Sequence, residues 1–387
     1  MYTRGMRNTP KRPFFAERER GAMPPDDARL AVLSYLSYAE CWNPNREKVE
    51  RGVRAAVERC AADSGVGEIV WGPVAYRKKG LLLTDSLMFA AKIPGRVGAE
   101  TERYALVFRG TNPGSITSWI FQDLAVSGMV PWTRRSPKTK HRDAWISMAA
   151  DTALDIHESL ADGGKTAFHW LMGLLAADSR KRVALSLTGH SLGGLMSTAY
   201  GLYLRDELAA AGLEKRVEIN VCAFAGPTAG NAAFSDALEK EFGNGLALYD
   251  NPLDIAPLAW EERNLESVIP VLYEPTIRPS KLYKEALSSF AAAVRGLGYD
   301  KPARRVRPVP SSIVEVPFND YLLEAAVQHV ASYAEEALRD APESARDTVR
   351  AIVKKLLGVA QFAKFGKGPL FWIDSRKKGM RALTKLF

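Results

Sequence analysis

The chain has 387 residues, of which 47% are apolar and 25% charged, and its formal net charge is +9. That length suits one α/β domain with insertions, the apolar share supports a large core, and no long low-complexity segment interrupts it. The charge is uneven: residues from Glu343 onward carry a net +8 and the first twenty a net +4, which leaves −3 for everything between. Basic ends of this kind suit anionic surfaces, lipid headgroups or nucleic acid, or serve as plain solvated termini. Three widely spaced cysteines, Cys41, Cys60 and Cys222, argue against a disulfide framework and offer no CxxC pair for zinc. No apolar stretch reaches membrane-spanning length, and the basic N-terminus lacks the apolar core of a secretory signal. The chain is therefore expected to be cytoplasmic as made, with export only by a route that needs no cleaved peptide.

Residues 1–23 are polar and basic and read as a disordered N-terminal segment. Pro24-Pro25-Asp26 opens a helix with Asp26 as its expected cap, and a second helix is expected over 46–62. Strand-like runs follow at 68–76, 86–93 and 103–109. The last of these, Tyr104-Ala105-Leu106-Val107-Phe108, is nearly all apolar, as a strand buried on both faces should be. Helices are expected around 144–160 and 165–178, then a strand at 182–188 and a helix at 192–212. A strand at 217–224, a helix at 231–242 and a short strand at 246–249 complete the alternation. Alternating strands and helices predict an α/β fold with a mostly parallel sheet covered on both faces. The domain is expected to run from 24 to 340. Its Pro-rich stretch 260–318 reads as an insertion or extended loop, and 341–387 as a basic amphipathic extension.

Gly189-His190-Ser191-Leu192-Gly193 fits G-x-S-x-G, and its setting carries more weight than the match. An apolar strand leads in and an Ala/Leu-rich helix leads out, which is the strand–turn–helix of a nucleophile elbow. The turn is too tight for side chains beside the serine, so Gly189 and Gly193 flank it. The helix N-terminus behind Ser191 favours a developing negative charge. A serine hydroxyl needs a base and the base an orienting carboxylate, in the order Ser, Asp or Glu, His on this fold. His329 is the one histidine after Ser191, so it is the expected base. Asp254 follows the short strand at 246–249 and is the expected acid, with Asp250 as its rival. An oxyanion hole needs two donors: Leu192 N–H is one, and Gly110-Thr111, after the strand ending at Phe108, supplies the other through Thr111.

Together these residues resemble the class 3 lipases over roughly 100–335. Val107-Phe108-Arg109-Gly110-Thr111 looks like the family's V-F-R-G-[ST], whose last residue lends the oxyanion donor. Residues 115–124, SITSWIFQDL, are similar to its lid segment. Gly189 to Gly194 reads as its elbow, and Ala225 to Asn231 as its A/G-x-P-x-x-G-N turn. Asp254-Ile255-Ala256-Pro257 is similar to the D-x-V-P that holds the family's acid, which favours Asp254 over Asp250. His329-Val330-Ala331-Ser332-Tyr333 resembles the catalytic histidine and its helix. The usual V-H-x-G-F appears only as Lys140-His141-Arg142-Asp143-Ala144-Trp145. The resemblance implies an α/β-hydrolase fold and acyl transfer from a glycerolipid ester through Ser191, His329 and Asp254, with Thr111 and Leu192 holding the oxyanion. It implies that Arg109 pairs with Asp123 to position the lid, and that Ile116, Trp119 and Ile120 form the lid's apolar face. No metal or cofactor is required, and no nucleic-acid partner is expected.

In 348–365 the apolar residues follow helical spacing with Arg350, Lys354 and Lys364 on the other face. This segment, with the basic run to 387, suits either an anionic membrane surface or packing on the catalytic domain. Cationic ends and the missing exit signal lean towards phospholipids, as in an effector that attacks a rival bacterium's membrane. The other readings are a hydrolase of small soluble esters or thioesters, and a non-catalytic lipid- or partner-binding module.

Overall fold

The computed structural model describes residues 22–78, 83–95, 101–111, 124–314, 316 and 319–364. The expected N-terminal segment up to residue 21, the lid residues up to Asp123 and the tail from 365 lie outside these. In chain order the helices and strands are α1 (Pro25–Leu36), α2 (Arg46–Ser64), β1 (Glu68–Tyr76), β2 (Ser86–Lys92), β3 (Thr101–Phe108), β4 (Met129–Pro131), α3 (Trp132–Arg135), β5 (Trp145–Ser147), α4 (Met148–Ser159), β6 (Ala161–Asp162) and β7 (Lys165–Thr166). There follow α5 (Ala167–Ala177), β8 (Arg182–His190), α6 (Leu192–Ala210), β9 (Val217–Phe224), α7 (Ala232–Phe242), β10 (Leu246–Asp250), α8 (Lys281–Val294), β11 (Val306–Pro308), α9 (Tyr321–Leu338) and α10 (Glu343–Lys364).

The main sheet runs β1-β2-β3-β8-β9-β10-β11. It is parallel from β3 to β11, with β2 antiparallel to both its neighbours. Side chains alternate across it because successive Cβ atoms of a strand point to opposite faces. Phe89, Ala105, Val107, Phe224 and Tyr249 join one buried cluster with α1, α2, α8, α9 and α10. Met88, Tyr104, Leu106, Phe108, Leu187, Val221 and Leu248 join the other with α4, α5, α6 and α7. Both faces are covered, so the strands read as continuous apolar runs, as expected of a parallel sheet. Most helices begin at a residue whose side chain accepts a backbone N–H: Asn45, Ser147, Thr166, Asn231, Ser280 and Asp320. Among the described residues no helix is long and apolar enough to cross a membrane.

Three expectations are corrected. Asp26 is not the cap of α1. Pro24 precedes the helix, and Asp26 sits in its first turn, paired with Arg103 at 2.7 Å. Residues 145–147 are strand rather than helix, because they pair with 129–131 before Ser147 caps α4. The 260–318 stretch is not an extended loop. It contains α8, which buries Leu287, Phe290, Ala291 and Val294 at helical spacing, and β11, the edge strand of the sheet. Of the two readings left open for the amphipathic segment, α10 follows packing on the domain, and its apolar face is not free for a membrane. Val349, Ile352, Val353, Leu356 and Leu357 are buried in the same cluster as α1, α2 and α9, so burial against the domain uses the surface a bilayer would need.

Candidate active site

Strand β8 ends at His190, and α6 starts at Leu192, so Ser191 alone makes the turn. Its backbone sits at φ 63°, ψ −128°, a conformation L-residues rarely adopt. Such a turn closes only if the residues two places to either side of the serine lack side chains. A Cβ on Gly193 would lie 2.2 Å from the carbonyl oxygen of Phe108, and one on Gly189 would lie 2.4 Å from the carbonyl of Gly193. The Ser191 N–H donates to Phe224 O at 2.9 Å and ties the turn to the end of β9.

His329, in the middle of α9, brings Nε2 to 2.9 Å from Ser191 Oγ. Its Nδ1 lies 2.8 Å from Asp254 Oδ2. The carboxylate accepts, so Nδ1 carries the proton and Nε2 is free to accept from the serine hydroxyl. All three side chains are buried. The second oxygen of Asp254 accepts from Ala256 N at 2.9 Å, and Tyr333 Oη donates to Oδ2 at 2.9 Å. Asp250, the rival acid, is elsewhere engaged: its Oδ2 accepts from Lys301 Nζ at 2.6 Å, and the same ammonium donates to Gly226 O. Burial pushes the Asp250 carboxyl above its usual range, and the Lys301 charge opposes that shift.

Thr111 follows β3 and is buried, and its hydroxyl has no hydrogen-bond partner among the described residues. The loop abuts the elbow. A Cβ on Gly110 would lie 2.4 Å from His190 O and 3.0 Å from Ser191 Cβ. Leu192 is the first residue of α6, so its N–H has no helical acceptor. Two donors thus flank the serine's end of the sheet. Arg109 is buried, and Nη2 donates to Thr84 O and Oγ1 at 3.0 and 2.8 Å. Burial holds its guanidinium pKa below the ordinary value. The expected Arg109–Asp123 pair and the lid residues Ile116, Trp119 and Ile120 lie outside the described residues. Among the described residues no cluster of His, Cys, Asp or Glu is arranged to hold a metal ion.

Sequence reasoning missed the polar framework around these groups. Asn251 Nδ2 donates to Gln328 O and Oε1 at 2.9 and 2.8 Å, and Gln328 Nε2 donates to Glu324 Oε1 at 2.7 Å. The loop carrying Asp254 is thereby tied to the helix carrying His329. Only the adjacency of Gln328 to His329 hinted at it.

Residues 105–259 match the family model described as Lipase (class 3). The structure is similar to that of M37 lipase with a TM-score of 0.70 and 26% identity, over 85% of this chain and 98% of that one. Looser fits are to the lipase from Rhizopus microsporus var. chinensis (TM-score 0.39, 18% identity, 60% of this chain and 67% of that one) and to Lip2 lipase from Yarrowia lipolytica (0.41, 16%, 61% and 75%). None of the curated proteins matches the chain. The covered, mostly parallel sheet is that of the α/β-hydrolase fold, and the family resemblance carried by the motifs holds.

Proposed function

From the class 3 lipase match over residues 105–259 and the α/β-hydrolase fold, we propose that the protein is a serine hydrolase of glycerolipid carboxylic esters, with Ser191, His329 and Asp254 as its triad. The observation that carries the reading is the hydrogen-bonded chain Ser191 Oγ, His329 Nε2, His329 Nδ1, Asp254 Oδ2 on a strained elbow. His329 takes the serine proton as Oγ attacks the ester carbonyl. Asp254 holds the imidazole in the tautomer that can accept that proton and stabilises the imidazolium that forms. The N–H of Leu192 and the N–H and hydroxyl of Thr111 receive the oxyanion, an arrangement that gains strength in a buried, water-poor site. His329 then protonates the leaving alcohol. It next activates a water that releases the fatty acid and regenerates Ser191.

Ile116, Trp119 and Ile120 would form the lid's apolar face, with Arg109 and Asp123 positioning the segment. Phospholipids are favoured over triacylglycerols by the basic ends of the chain. The test is fatty-acid release from phosphatidylglycerol liposomes and from a triolein emulsion, wild type beside Ser191→Ala. Release that drops by several orders of magnitude in the variant is expected, and the ratio of the two wild-type rates names the substrate class. A folded wild type that releases fatty acid from neither would overturn the reading in favour of a small-ester hydrolase or a binding module.

A further inference from the structure

His190 stands beside the nucleophile, yet the mechanism above gives it no part. Its imidazole is buried and fully engaged. Nε2 lies 2.7 Å from the main-chain carbonyl oxygen of His329, and Nδ1 lies 3.1 Å from Tyr38 Oη. A carbonyl only accepts, so Nε2 carries the proton, and Nδ1 accepts from the Tyr38 hydroxyl, whose proton it shares with the carbonyl oxygen of His190 itself at 3.3 Å. The ring also lies against that of His329, with centroids 4.7 Å apart. Because 190 and 191 are consecutive, the same two-residue piece of chain holds His329 twice. Ser191 holds its side chain, and His190 holds its backbone.

That double hold matters for geometry. The bonds from His329 to Ser191 and Asp254 orient the imidazole, but neither fixes α9 against the end of β8. The bond from His190 does so, through the carbonyl of the base itself. Tyr35, in the last turn of α1, and Tyr38, two residues beyond its end, complete the hold. Tyr38 Oη sits where a Cβ on Gly110 would lie, 2.2 Å away, so it also touches the oxyanion loop. Tyr35 Oη donates to Val330 O at 2.7 Å, one residue beyond the base. Both tyrosines lie outside the segment matched to the lipase family.

We propose that His190 is a positioning residue for the reaction: its Nε2–H, aimed by Tyr38, holds the backbone of His329 so that the base stays in register with Ser191. The inference rests on the proposed triad. Burial, with the neighbouring His329, holds the His190 pKa well below its ordinary value. The ring therefore stays neutral and does not repel the imidazolium that forms on His329 during turnover. A neutral donor is the form the His329 carbonyl requires, so the same burial serves both needs.

The test uses the full chain and a fluorophosphonate probe that labels the active serine, so that kcat is expressed per labelled site. His190→Leu removes the donor. His190→Gln returns an amide Nε2–H to about the same place, and Tyr38→Phe leaves the ring but removes the group that aims it. In His190→Leu, kcat per labelled site should fall about ten-fold or more with KM changed less than about two-fold, since small misplacements of a reacting group act on kcat. His190→Gln should recover most of that loss. Tyr38→Phe should show a smaller fall of the same kind, and it carries the test if the leucine variant does not fold. A folded leucine variant with wild-type kcat per labelled site, or a glutamine variant no better than leucine, overturns the inference and leaves the triad standing. A wild type that the probe does not label overturns the triad itself.

Discussion

The hydroxyl of Tyr333 donates to Asp254 Oδ2 at 2.9 Å, the same oxygen that faces Nδ1 of His329 at 2.8 Å. That hydroxyl in turn accepts from Asn251 N at 2.8 Å, so one phenol joins the turn after β10 to the carboxylate it presents. Tyr333→Phe leaves the Asn251 N–H buried without its acceptor, which should cost about 1–3 kcal/mol of stability. The carboxylate keeps its bond from Ala256 N and should still orient His329, so kcat should fall only about ten-fold. Asp254→Asn presents a donor where the imidazole needs an acceptor, and kcat should fall about 10⁴-fold. Thermal unfolding and initial rates on a soluble ester, measured side by side, check both expectations. Equal losses in the two variants would remove the distinction drawn between them.

Asp250 and Asp254 lie four residues apart and have different partners. Lys301 Nζ meets Asp250 Oδ2 at 2.6 Å, with both side chains largely buried. Removing one charge of a buried pair typically costs about 3–5 kcal/mol, because the other is left uncompensated. Asp250→Asn should therefore lower the unfolding temperature strongly yet leave kcat per labelled site near wild type. A large loss of kcat with unchanged stability would mean that Asp250, and not Asp254, serves the base.

Much of this was legible in the sequence, and the reasons differ by element. β3, β8 and β9 are buried on both faces, so their apolar runs identify them directly, and the glycines of the elbow mark its turn. The proposal of Ser191 and His329 rests on chain order and on there being one histidine after the serine. Asp254 did not follow from order alone. Its choice over Asp250 needed the D-x-V-P resemblance, because nothing local reveals that Lys301, 51 residues on, occupies Asp250. β11 was missed because three residues show no alternation, and α8 because the prolines around it outweighed the spacing of Leu287, Phe290, Ala291 and Val294. The parts played by Tyr38 and Gln328 depend on contacts between distant segments, which no local pattern encodes.

The amphipathic pattern of α10 was read correctly, but its partner was left open between a membrane and the domain. Leu356 and Val353 are buried against α1, α2 and α9, while Lys354 is exposed. Leu356→Ala should destabilise the protein by about 2–5 kcal/mol, as large-to-small changes in a packed core do. Lys354→Glu should change stability by less than about 0.5 kcal/mol. Urea unfolding of the two variants tests this. A neutral Leu356→Ala with weakened liposome binding would return the helix to the membrane.

His157 makes stability depend on acid. It is buried beneath Phe108, with ring centroids 5.5 Å apart, and its Nδ1–H donates to Ala153 O at 2.7 Å. Burial pulls its pKa down to about 4, the Ala153 bond opposes that shift, and the charge of Arg109 adds to it. In the unfolded chain the same imidazole binds a proton near pH 6.5. Between about pH 6.5 and 4 the unfolded state therefore holds a proton that the folded state does not. Stability must fall as pH drops through that window, by up to about 3 kcal/mol from this group alone. The buried His190, shifted in the same direction, adds to the slope. In His157→Asn the amide nitrogen can reach Ala153 O but cannot titrate, so its unfolding temperature should decline less steeply than wild type between pH 6.5 and 4. The comparison is between slopes, so packing lost at neutral pH does not affect it. Parallel pH profiles for the two proteins would show that His157 carries no such linkage.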